Sequence, residues 1–129
     1  MKDYIIHHDW KIIEEGFKPE LNRISESLFS LGNGKMGQRA NFEEKYSGDT
    51  LNGTYVAGIY YPDKTRVGWW KNGYPEYFAK IINSTNWIGI RVIINGEELD
   101  LASAKVLSFT RELDMQHGYL TVESGQQGN

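Results

Sequence analysis

The chain has 129 residues, the length of one domain or of a piece of a larger one. A net charge of −3, with 14 basic residues dispersed rather than gathered in a stripe, gives no footprint for nucleic acid; the absence of Cys excludes disulfides, thiolate catalysis and thiolate metal sites. No apolar run reaches the length of a membrane span or a signal-peptide core, so a soluble, cytoplasmic chain without a membrane partner is expected.

Residues 4–6 and 10–13 are short β-prone runs broken by His7, His8 and Asp9. Two imidazoles beside a carboxylate suggest a metal, but successive strand residues point to opposite faces. They are read as surface residues, and no metal ligand is assigned. Residues 16–19 signal a turn, with room for a short helical turn over 19–25. Residues 23–31 alternate with period two, Ile24, Glu26, Leu28 and Ser30 against Ser25, Ser27, Phe29 and Leu31. That pattern predicts a strand with two mixed faces.

The strand leads into Gly32-Asn33-Gly34-Lys35-Met36-Gly37, which has the glycine spacing of a dinucleotide-binding turn. Such a turn must open an amphipathic helix whose N-terminus meets a pyrophosphate. Residues 38–48 show no sustained 3.6-residue period, so a tight glycine-permissive turn between strands is predicted instead. Glu43 and Glu44 could suit glycoside chemistry, but neighbours on an extended chain point apart and make a poor acid/base pair. No catalytic residue is nominated. Asn33, Arg39, Asn41 and Glu43 are candidates for organising the turn or a domain contact.

Residues 51–61 resume alternation, and residues 77–82 and 87–94 read as further strands, the last the most β-branched run in the chain. Asn95-Gly96 is the best hairpin signal, with 97–101 as its return. Residues 106–113 and 118–122 complete the series. An all-β, antiparallel sandwich, or an incomplete part of one, spans residues 1–122, and the polar residues 123–129 are expected to be a disordered tail. Asn52-Gly53-Thr54 and Asn83-Ser84-Thr85 match the glycosylation pattern by chance.

Residues 52–87 hold three of the four Trp. The centre of this stretch, residues 62–75, is too rich in Gly, Pro, Asn and Lys to be an ordinary strand or helix. Here Arg66, Trp69, Trp70, Lys71, Asn72 and Tyr74 admit two readings. Flat rings flanked by polar groups suit a sugar, whose C–H faces meet the rings and whose hydroxyls meet the polar groups. Aromatic residues also pin long loops onto small cores.

Glu26-Ser27-Leu28-Phe29-Ser30-Leu31-Gly32-Asn33-Gly34, then Met36-Gly37, Arg39 and Asn41-Phe42-Glu43-Glu44, resemble the N-terminal signature of glycoside hydrolase family 65, which holds the maltose, trehalose and kojibiose phosphorylases. Gly53-Thr54-Tyr55, Tyr60-Tyr61-Pro62-Asp63-Lys64-Thr65-Arg66 and Trp69-Trp70-Lys71-Asn72-Gly73-Tyr74-Pro75-Glu76 are most similar to the maltose-specific members. The likeness is nearly continuous from about residue 10 to residue 120. Lys35 and Ala40 depart from it, standing where many members carry an aromatic residue or His and a Gly.

The resemblance implies an N-terminal β-sandwich followed, in the whole enzyme, by an α/α barrel that this chain does not contain. The whole enzyme would use inorganic phosphate as a substrate, with no cofactor, to cleave an α-glucoside such as maltose with inversion, giving β-glucose 1-phosphate and glucose. The catalytic Glu and the phosphate site lie in the barrel, so this chain alone is expected to be inactive. Residues 62–75 become the candidate for a loop at the active-site mouth. A homo-oligomer is expected, with Phe29, Tyr60, Trp87 and Ile93 contributing to an apolar contact face. The alternatives are a free-standing carbohydrate-binding module using Trp69, Trp70 and Tyr74, and a structural β-domain without a ligand.

Overall fold

The computed structural model describes residues 4–64 and 75–127. The two short β-prone runs are strand β1 (Ile5–His7) and strand β2 (Lys11–Glu15), paired as an antiparallel hairpin with His7 and His8 exposed. A single 3-10 turn, Pro19–Leu21, leads into helix α1 (Asn22–Leu28). Strands β3 (Leu31–Gly32) and β4 (Met36–Gln38) flank the glycine-rich turn, and β5 (Thr54–Val56) pairs with β4. Strands β6 (Tyr60–Lys64) and β7 (Tyr77–Ile81) form a two-stranded ribbon. Strands β8 (Ile93–Ile94) and β9 (Glu97–Glu98) make a short hairpin, followed by the long β10 (Lys105–Asp114) and β11 (Tyr119–Gln127).

The largest sheet runs β1-β2-β10-β11 and is antiparallel throughout. Its inner face carries Phe109, Arg111 and Leu113, alternate residues of β10 that share one side of the strand. A smaller sheet, β3-β4-β5, belongs to the second layer. Phe29, Ala40 and Leu113 form one part of the core, with Ile5, Ile12, Leu31 and Leu120 packed around them. Phe42, Leu101 and Phe109 form the other, where Phe17, Phe42, Tyr46 and Phe109 meet with ring centroids 5.0–6.0 Å apart. The architecture is the antiparallel β-sandwich read from the sequence.

Several elements differ from the sequence reading. The strand expected over 23–31 is helix α1 as far as Leu28, and extended chain begins only at Leu31. Asn22, Ser25, Glu26 and Phe29 are the buried positions, the i, i+3, i+4, i+7 spacing of one helix face. Residues 51–61 are two strands, because the Ile59 N–H donates to the Val56 carbonyl at 3.1 Å and Gly58 sits at φ +88°. Of residues 87–94 only Ile93 and Ile94 pair as strand. Before them, the Ile90 N–H donates to the Glu43 carbonyl at 2.6 Å and the Val92 carbonyl accepts from the Leu99 N–H at 2.9 Å.

Asn95-Gly96 does turn β8 into β9, with φ of +54° and +87°, the left-handed pair such a turn requires. Residues 123–127, expected as disordered tail, instead continue β11. Glu123 pairs with Thr110 and Gln127 with Lys105. A bulge shifts this register between Val106 and Ser108, leaving Leu107 as the extra residue. Phe29, expected on an exposed contact face, is fully buried; Tyr60, Trp87 and Ile93 are exposed.

Candidate functional site

Helix α1 turns its polar side inward. Glu26, with no exposed surface, accepts hydrogen bonds from Asn22 Nδ2 at 3.0 Å, the Leu51 N–H at 2.8 Å and the hydroxyl of Thr50. A buried carboxylate needs this density of donors to remain in the interior. Arg39 leans across from the strand that follows the glycine turn. Its Nε donates to the Leu51 carbonyl at 2.8 Å, its Nη2 donates to Ser27 Oγ at 2.8 Å and to the Arg23 carbonyl at 3.1 Å, and Nη2 stands 3.9 Å from Glu26 Oε2. Asn41 grips the same segment. Its Nδ2 donates to the Leu51 carbonyl at 3.2 Å, and its Oδ1 accepts from the Gly53 N–H at 3.0 Å.

Residues 50–54 are thus held on one side by Glu26, Arg39 and Asn41. On the other, Asn83 Nδ2 donates to the Asn52 carbonyl at 3.0 Å and Thr54 Oγ1 donates to the Ser84 carbonyl at 3.0 Å. Both matches to the glycosylation pattern fall inside this clamp, where the Asn83 amide is engaged with Asn52. Gly53 is required by proximity, since a Cβ there would collide with the side chain of Arg39. The clamped segment runs directly into β5.

The four organiser candidates therefore divide. Arg39 and Asn41 converge on one segment, residues 51–53. Asn33 acts separately: its Oδ1 accepts from the N–H groups of Lys35 at 3.0 Å and Met36 at 2.8 Å and shapes the glycine turn, with Gly34 at φ +81°. Glu43 is exposed and lines, with Glu44, Ile90, Val92 and Glu97, a cavity of about 800 Å³ against the β8–β9 hairpin. In its wall, hydrogen bonds from Lys45 and Arg91 hold the Glu98 carboxyl below its ordinary range. The mouth-loop candidates Arg66, Trp69, Trp70, Lys71, Asn72 and Tyr74 lie outside the described residues. Among the described residues no cluster of three or more His, Asp or Glu side chains is arranged to hold a metal.

One buried group escaped the sequence reading. Arg111, 1% exposed, lies among the rings of Phe29, Phe42 and Phe109, with its guanidinium carbon 5.8, 4.9 and 5.5 Å from their centroids. It donates to Asn22 Oδ1 at 3.1 Å and faces the Glu14 carboxylate at 3.6 Å. Strand parity could have found it, because Arg111 alternates with Phe109 and Leu113.

The arrangement joins a β-sandwich core to a clamped segment at residues 50–54, with no positioned acid/base pair among the described residues. Residues 12–125 match the model of the glycosyl hydrolase family 65 N-terminal domain. The chain belongs to this family. Over 112 residues this family 65 domain is 55% identical to the maltose phosphorylase of Bacillus subtilis (strain 168), covering 87% of the chain and 15% of that enzyme. It is 38% identical over 119 residues to the α,α-trehalose phosphorylase of Thermoanaerobacter brockii, again covering 87% of the chain and 15% of the enzyme. Among solved structures, a putative kojibiose phosphorylase from the human microbiome superposes with a TM-score of 0.86 at 38% identity, over 99% of this chain and 17% of that one. The chain spans about 15% of the length of the curated relatives it matches.

Proposed function

We propose that this chain is the N-terminal domain of a maltose-phosphorylase-like enzyme, serving as scaffold, as a contact with a second copy and as the carrier of a loop at the mouth of the active site. The observation that carries the reading is the 55% identity to a maltose phosphorylase, against 38% and 35% to trehalose and kojibiose phosphorylases over similar lengths. The β6–β7 ribbon, which ends on the pair Lys64–Tyr77, supports the loop assignment, because a loop that shapes a substrate site must be held at its base. Exposed Tyr60, Tyr61, Tyr77 and Ile81 on the β6–β7 ribbon support contact with further polypeptide. In the whole enzyme a phosphate oxygen attacks the anomeric carbon of the α-glucoside while a carboxylic acid protonates the departing sugar oxygen. The C–O bond breaks with inversion to β-glucose 1-phosphate. Both reacting groups belong to the part of the enzyme beyond this domain.

The test replaces the matching segment of the B. subtilis enzyme with this chain and measures phosphate-dependent glucose release. Turnover of maltose by the chimera, with none by the chain alone, is expected. A folded chimera inert towards maltose, or turnover by the purified chain, would overturn the reading.

A further inference from the structure

The dipeptide Asn-Gly occurs four times, beginning at residues 33, 52, 72 and 95. Glycine has no side chain to shield its amide nitrogen, so that nitrogen can attack the Cγ of the asparagine before it. Three of the four dipeptides lie within the described residues, and their surroundings differ. At residue 52 the attacking nitrogen is occupied. The Gly53 N–H donates to Asn41 Oδ1 at 3.0 Å, inside the segment that Arg39 and Glu26 also hold. At residue 33 the group under attack is occupied, since Asn33 Oδ1 accepts from the N–H groups of Lys35 and Met36 at 3.0 and 2.8 Å.

Asn95 has neither restraint. Among the described residues no hydrogen bond ties its side chain or the Gly96 N–H, and both residues are exposed. Asn95 also stands at φ +54°, where a residue with a Cβ is strained. Ring closure needs its backbone to swing out of that left-handed position, so the hairpin must open first. Only the pairs Ile93–Glu98 and Ile94–Glu97 tether the turn, with the Leu99 N–H on the Val92 carbonyl at 2.9 Å behind them. Ile93 and Ile94 are 54% and 57% exposed, so this short hairpin opens locally and leaves the sandwich core undisturbed.

We propose that Asn95 is a site of spontaneous modification, converted to isoaspartate through a cyclic imide with Gly96. The Gly96 nitrogen bonds to Asn95 Cγ and gives its proton to solvent. The Cγ–Nδ2 bond breaks, and the amide nitrogen leaves as ammonia. Water then adds to either imide carbonyl. Opening at Cγ gives aspartate, and opening at the main-chain carbonyl gives isoaspartate, whose backbone runs on through Cβ and Cγ. That path is longer by a methylene, which a two-residue turn with both φ positive does not absorb. Both products place a new carboxylate beside Glu97, on the rim of the cavity that Glu43 and Glu44 share. Like charge and a lengthened turn together loosen the wall in which Glu98 holds Lys45 at 2.9 Å and Arg91 at 2.7 Å. The site does not rest on the phosphorylase reading.

Storage of this chain in mildly alkaline buffer, followed by peptide mapping with isoaspartate resolved by electron-transfer fragmentation, tests the proposal. Conversion at residue 95 is expected to run about tenfold ahead of residues 33 and 52, where further hydrogen bonds must break before the ring can close. Amide hydrogen exchange at Leu99 should quicken in the stored chain. In stored Asn95→Gly, which tolerates the positive φ and lacks the amide, it should not. Residue 33 or 52 keeping pace with residue 95 would overturn the assignment, as would residue 95 remaining intact. Conversion at residue 95 without faster exchange at Leu99 would overturn the loosening of the hairpin.

Discussion

Arg111 Nη1 stands 3.6 Å from Glu14 Oε2 in the interior of the sandwich, with both side chains almost wholly out of water. Burial pushes the Glu14 carboxyl up and the Arg111 guanidinium down, each against the attraction of the other. Buried pairs of this kind fix a partner arrangement more than they stabilise it, and removing one member strands the other. Arg111→Met is expected to cost about 3–5 kcal/mol in urea unfolding, whereas Glu14→Leu/Arg111→Met should recover most of that loss. Strictly additive losses in the double variant would count against this account.

Glu26 is the anchor of the loop clamp. Glu26→Ala removes the shared acceptor of Asn22, Thr50 and the Leu51 N–H from the interior and should destabilise the domain by about 2–4 kcal/mol. Glu26→Gln should cost less, since one oxygen still accepts. Gly53→Ala should mimic part of the effect from a distance by displacing the Arg39 side chain. Urea melts of the three variants rank these expectations. A harmless Gly53→Ala would dissociate Arg39 from the clamp.

Hydrogen bonds from His117 hold the Asp114 carboxyl down, from 3.8 to about 2. A depressed carboxyl contributes stability that is complete above its unfolded value and is lost as the pH falls through the folded one. Wild type and His117→Ala should therefore differ most in melting temperature above pH 4, and the gap should close between about pH 4 and 2. Glu14 works with the opposite sign. Its carboxyl is raised above the ordinary 4.5, so its contribution is complete below that pH and declines as the pH climbs through the raised value. Glu14→Gln should accordingly gain on wild type as the pH rises through that range. A gap that is flat in pH for His117→Ala would show that Asp114 is not held by that ring.

Local chemistry was legible wherever it was decided locally. Asn95-Gly96 turned the chain because both positions need positive φ, and residues 32–37 made a strand-to-strand turn with Asn33 as its acceptor. Helix α1 was hidden because its inward positions Asn22, Ser25 and Glu26 are polar, while the apolar Ile24 and Leu28 face water at 52% and 48% exposure. A search for apolar periodicity therefore followed the wrong side. The β-branched run at 87–94 had strand propensity without a partner to pair with, and only Ile93 and Ile94 found one. Residues 123–127 looked like a tail because they are polar, yet an outer strand of a sheet can be polar and still be held by its ladder to β10. Arg39 and Asn41 were nominated as organisers of the turn or of a domain contact. Glu26, which holds the same segment through the Leu51 N–H and the Thr50 hydroxyl, was quoted in the signature but assigned to a strand face, so the clamp itself could not be read.

The Trp-rich loop has a defined experiment of its own. If Trp69 and Trp70 serve a substrate mouth, they contribute little to the core of this domain. Trp69→Ala and Trp70→Ala should then each shift the thermal midpoint of the isolated chain only slightly, far below the roughly 3–5 kcal/mol expected for a core Trp. Placed in the chimera with the B. subtilis enzyme, one of the two should impair maltose phosphorolysis more than the other, since neighbours on an extended segment point opposite ways. Arg39→Ala, by loosening residues 50–54, should instead lower the melting temperature of the isolated chain. That contrast separates a residue that holds the domain together from one that meets the sugar. Severe unfolding of the isolated chain by either Trp substitution would return that ring to the core.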